Sequence, residues 1–171
     1  MNNAYAQTLW EELRMVQGIT LRVIAAVPKE KIDTRPVRDM RTPKELVAHL
    51  YATMRAVAEG AVKGQVTPDE AADKGENMKS HDDMIRIANE SWKAADRAIR
   101  SMTDAQATAM VKTPWGMDFP GWMCVQIIFD EHLHHRGQLY AFLRALGVEP
   151  PFMWDFENSA PEFRPKQHQQ A

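Results

Sequence analysis

The chain has 171 residues, 44% of them hydrophobic and 26% charged, a composition that argues against disorder and suits a single well-filled domain over 1–171. A formal net charge of -2 provides no basic field for DNA or RNA, so nucleic-acid partners are not expected. One cysteine, Cys124, excludes an internal disulfide and Cys-rich zinc motifs, and with no leader-like N-terminus or apolar run near ~20 residues it predicts a cytoplasmic protein without membrane association.

Leu9, Val16, Ile19 and Val23 recur at helical spacing and predict a first helix closed by Pro28. A charged, aperiodic loop with Pro36 follows. It ends at Thr42-Pro43-Lys44-Glu45, where Thr at N-cap, Pro at N1 and Glu at N3 form a capping-box signature. The second helix then carries Leu46, Leu50, Met54 and Val57 on one face, and His49 belongs to that face. Residues 63–79 read as an exposed connection. Ser80, with Asp83 three residues on, caps a third helix whose stripe is Ile85, Trp92, Ala95 and Ile99.

From Thr103 to Gly121 the periodicity breaks up, and TPWGMDFPGW reads as a turn or short extended piece. A fourth helix runs from near Pro120 to Leu146, with Gly147 as its stop. The proline- and aromatic-rich remainder is expected to pack back over the bundle as an ordered coil, frayed beyond Arg164. Four amphipathic helices without a convincing strand predict an all-α fold, a four-helix bundle. Cys124 is expected in its core.

The fourth helix contains FDEHLHHRGQL, Phe129 to Leu139, which concentrates groups that are costly to bury. Val125, Ile128, Phe129, Leu139, Tyr140, Leu143 and Leu146 define its apolar face at 100° per residue. Asp130 and His134 fall away from that face and should meet water. Glu131, His132 and His135 fall on it or at its edge. Glu131 and His135, at i and i+4, can share a metal ion, and His49 offers a third ligand from across the bundle. The same pattern suits a hydrogen-bonded His49 beside a Glu131–His135 pair. Trp115, Trp122, Phe152, Trp154 and Phe156 could wall a pocket above such a site, or belong to a core or a dimer interface.

The run HHRGQLYAFLRALGVEPPF, together with TPKELVAHLYATM around His49, Arg35-Pro36 and the TPWG of Thr113 to Gly116, resembles the DinB family, also described as DinB/YfiT-like metalloenzymes. The resemblance covers most of the chain. It implies a four-helix bundle that forms homodimers and holds a divalent ion, nickel or zinc, on three histidines. His49 matches the first and His135 the last, but the remaining position is Glu131. Two histidines and a carboxylate also suit manganese or iron, and His132 is the alternative ligand, at i, i+3 from His135.

Of the residues that follow, Gln138 has a supporting role in orienting a ligand or substrate, Gly137 would permit close helix packing, and Arg136 would sit in an ion pair. The resemblance further implies a small-molecule substrate, with a low-molecular-weight thiol as cosubstrate of an S-transferase. A hydrolase using metal-activated water is the other open-site chemistry. The competing class is a non-catalytic, metal- or ligand-binding dimeric bundle with a degenerate site.

Overall fold

A computed structural model describes residues 2–166; the fraying expected beyond Arg164 falls largely on 167–171, outside the described residues. Four long helices form the expected bundle: α1 (Asn3–Ala25), α2 (Pro43–Lys63), α4 (His81–Ser101) and α6 (Gly121–Ala145). Around the bundle the order is α1, α4, α2, α6, so α2 packs between α4 and α6 and lies diagonally opposite α1. Leu13, Ile19, Leu50, Met54, Met84, Ile99, Ile128 and Leu143 are among the residues that fill the centre.

Local chemistry sets the ends of these helices. Thr42 Oγ1 accepts from Glu45 N at 3.1 Å, and the Glu45 carboxylate accepts from Thr42 N at 2.8 Å, so the capping box is complete. Ser80 Oγ accepts from Asp83 N at 3.1 Å to start α4. Gly147, at φ 77°, ends α6 where a side chain would be strained.

Both long connections carry more order than their sequence suggested. Within 63–79 lies a four-residue helix, α3 (Glu70–Asp73), and Met78 is buried. Within 103–121 lies α5 (Asp104–Thr108), begun by a second capping box between Thr103 and Gln106. Its Thr-x-x-Gln signature was present in the sequence, but a five-residue helix is too short to show periodicity. The expected extended piece is a minimal antiparallel pair, β1 (Met110–Val111) with β2 (Phe119–Pro120).

The C-terminal coil is strapped to α1 by residues spaced at i, i+4 and i+8. Arg14 donates to the Glu162 and Arg164 carbonyls, and Arg22 donates to the Asp155 carbonyl at 2.7 Å and its carboxylate at 2.8 Å. Between them Gly18 leaves room for Ser159 and Phe163: a Cβ there would lie 2.5 Å from Phe163 Cβ. Phe163 in turn meets Trp92, which stacks on Trp10 with ring centroids 4.7 Å apart. Gly18→Val should therefore push the strap off α1. The expected result is a loss of about 1–3 kcal/mol in urea unfolding, with proteolytic cleavage appearing between residues 155 and 164.

Candidate metal centre

The seam between α2 and α6 collects the groups that the sequence singled out. His49 comes from the middle of α2, and Glu131 and His135 from successive turns of α6. One ligand-type atom from each lies within 4.8 Å of the other two. The two imidazoles meet edge to face, their centroids 5.0 Å apart and their planes at 84°.

Both nitrogens of His135 are engaged. Nδ1 lies 2.8 Å from Gln138 Oε1, and Nε2 lies 3.0 Å from Glu131 Oε2. An amide oxygen can only accept, so the Nδ1 proton belongs to that bond. A neutral ring then points the bare Nε2 lone pair at a carboxylate oxygen, which is repulsive unless a proton or a cation stands between them. Burial holds the His135 imidazole below its usual value, against the opposing pull of Gln138 and Glu131. The donor set therefore fits a cation at Nε2, or a proton shared between His135 and Glu131.

His49 is held differently. Its Nδ1 lies 2.6 Å from Asp73 Oδ1, contributed by α3. That arrangement leaves Nε2 for the cluster. Sequence reasoning missed Asp73, because it belongs to the connection read as exposed and stands 24 residues from its partner. Gln138 does reach the centre as expected, supporting His135, while its Nε2 faces His134 Nε2 at 3.3 Å.

His132 lies apart from this group. It is wholly buried, where Nε2 donates to Thr20 Oγ1 at 2.8 Å; the Thr20 hydroxyl in turn donates to the Val16 carbonyl. His132 thus faces α1, with its Nδ1 unpartnered, and the cluster at the α2 seam forms without it. Asp130 and His134 are exposed, as expected. Two neighbouring expectations are corrected. Arg136 is half-buried and forms no ion pair among the described residues, and a Cβ on Gly137 would meet nothing within 4 Å, so close packing does not require that glycine.

A cleft of about 370 Å³ opens beside His49 between α2 and the segment 66–74. Val57, Val66, Pro68 and Trp115 supply apolar wall, while Asp73 and Lys74 stand at its charged side. Of the five aromatics considered for such a wall, Trp115 alone lines it. Trp122 packs on Tyr5, Trp154 on Phe156, and Phe152 is exposed. Cys124 is buried, and burial pushes its thiol up to about 11, so it offers no nucleophile near neutrality.

A helical bundle with a His/Glu/His cluster at one seam is the class that fold and site define. A family model described as the DinB family matches residues 1–167. The chain belongs to the DinB family. It is 19% identical over 139 residues to the uncharacterised protein YjoA of Bacillus subtilis, covering 80% of this chain and 88% of YjoA. The crystal structure of YjoA, a DinB-like protein, superposes with a TM-score of 0.65 at 20% identity, covering 80% of this chain and 90% of that one. A DinB-like protein from Bacillus cereus superposes with a TM-score of 0.71 at 15% identity, covering 85% and 95%. At these identities the structures establish the shared fold.

Two outcomes follow from the buried groups. Burial lowers His132 from its usual 6.5 to about 3. Between those values the unfolded chain binds a proton that the folded chain refuses, so stability falls as pH drops below about 6.5. Between pH 7 and pH 5 this one residue should cost about 2 kcal/mol. Urea unfolding at the two pH values should show a drop smaller by that amount in His132→Gln. Cys124 should resist a thiol reagent at pH 8 in the folded protein and react fully in 8 M urea, with ~8 M serving only as a strongly denaturing condition.

Proposed function

We infer that the chain is a metal-dependent enzyme acting on a small molecule, with His49, Glu131 and His135 holding one divalent ion. The observation that carries this reading is the convergence of His135 Nε2, 3.0 Å from Glu131 Oε2, with a ligand atom of His49. Two imidazoles and one carboxylate suit first-row divalent ions, with nickel and zinc first and manganese or iron accommodated. Three protein ligands leave coordination positions for a substrate. The bound ion would supply Lewis acidity, lowering the pKa of a coordinated group.

Membership of the DinB family supports the metal reading, and the cleft beside His49 is of a size for a small molecule. Both transfer to a thiol and hydrolysis by metal-activated water suit a three-ligand site beside such a cleft. Asp69 caps α3 by accepting from Ala72 N, Asp73 is bound to His49, and Glu70 lies 3.6 Å from Lys74. Asp69 and Asp73 thus have partners within the fold, while Glu70 stays exposed in a long surface pair. With Cys124 buried and its thiol pushed up, the thiol would come from a low-molecular-weight cosubstrate.

Metal content of the untagged protein after incubation with zinc or nickel and dialysis tests this reading. About one ion per chain is the expected result for a single three-ligand site. His49→Ala, Glu131→Ala and His135→Ala should each weaken binding by at least about 100-fold, while His132→Gln keeps it. Wild-type protein that retains neither ion would sink the metalloenzyme reading. A loaded protein should then convert an electrophile and a small thiol to a thioether detectable by mass spectrometry.

A further inference from the structure

The connection between α2 and α4 could have crossed the bundle end as a passive loop. Instead it descends along α2. Gly75, at φ 69°, passes so close that a Cβ would lie 3.1 Å from Ala48 Cβ, and Met78 is buried. On one side of this strap lies the cleft beside His49; on the other, a second void of about 500 Å³ runs between α2 and α4. Asp69 caps α3, and the short helix delivers the Asp73 carboxylate to 2.6 Å from His49 Nδ1. His49 is one residue from Ala48, so this close approach of the strap and its polar contact occur at the same turn of α2.

We propose that Asp73 is a positioning residue for the metal centre, accepting the Nδ1 proton of His49 so that Nε2 faces Glu131 and His135. The assignment rests on the metal-centre reading above. A neutral imidazole exists as two tautomers, and only the one protonated at Nδ1 offers Nε2 as a donor to an ion. A carboxylate on Nδ1–H selects that tautomer, fixes the ring rotation and raises the basicity of the opposite nitrogen. His135 receives the same orientation from the neutral amide of Gln138. The two histidines are therefore supported unequally, and the charged support comes from a strap rather than from a bundle helix.

This arrangement ties the ion to the cleft. Asp73 both lines the cleft and holds His49, so a ligand that moves the strap also moves the residue that orients a metal-binding imidazole.

The test combines zinc affinity, measured by competition with a chromogenic chelator, with the His49 tautomer read by nitrogen-15 NMR in metal-free protein. Asp73→Asn, Asp73→Ala and Asp73→Glu are compared with wild type. The wild type should show His49 protonated at Nδ1. Asp73→Asn and Asp73→Ala should raise the population protonated at Nε2 and weaken zinc binding about 10- to 100-fold, with the melting temperature of metal-free protein unchanged. Asp73→Glu should recover part of the affinity. Equal zinc affinity in wild type and Asp73→Asn overturns the assignment and leaves the metal centre standing. A lowered melting temperature with unchanged zinc affinity also overturns it, marking a purely structural bond. A wild type that binds no zinc or nickel removes both the centre and the assignment.

Discussion

An imidazole with both nitrogens engaged sets the terms for everything around it. His135 is only 6% exposed, with an amide oxygen at Nδ1 and a carboxylate oxygen at Nε2. Such a ring cannot rotate to relieve an unfavourable contact without breaking its bond to Gln138. The surrounding bundle has to bring either a proton or a cation to Nε2, and burial disfavours the proton. The same α2–α6 seam that buries the His135 ring also carries His49, while Glu131 stays partly exposed at its edge. Packing and site chemistry are consequences of one helix pairing.

The helix α6 divides its polar groups between two environments. His132 and His135 are three residues apart, but one faces Thr20 on α1 and the other faces His49 on α2. The first is closed off from solvent, with its Nε2 proton given to a threonine hydroxyl. The second meets His49, which lines a cleft. A single helix placed between two neighbours can thus use one histidine for core structure and another for a site, because 3.6 residues per turn separate their directions. Tyr51, whose hydroxyl donates to Gln17, continues the polar core on the His132 side.

Much of the fold was legible in the chain itself. The capping box at Thr42, the Ser80 cap and the Gly147 stop are local signals, written in residues three or four apart, and each appears where it was read. The inward direction of His135 and the edge position of Glu131 were equally legible, since helix periodicity is a property of one segment. Less legible were α3 and α5, whose few residues give no period, and the strap contacts at Gly18 and Gly75. Arg136 was expected in an ion pair; a guanidinium's partner depends on what other segments bring near it, and no acid among the described residues does.

The sequence by itself determined four amphipathic helices, the i, i+4 pairing of Glu131 with His135, and the presence of His49 on a core face. Those features follow from backbone geometry repeated along single helices. Only the tertiary structure decided that α2 and α6 are neighbours, that His132 faces α1, and that Asp73 returns from a connection to meet His49. These are relations between segments far apart in the chain, and they depend on how the bundle closes rather than on any local period.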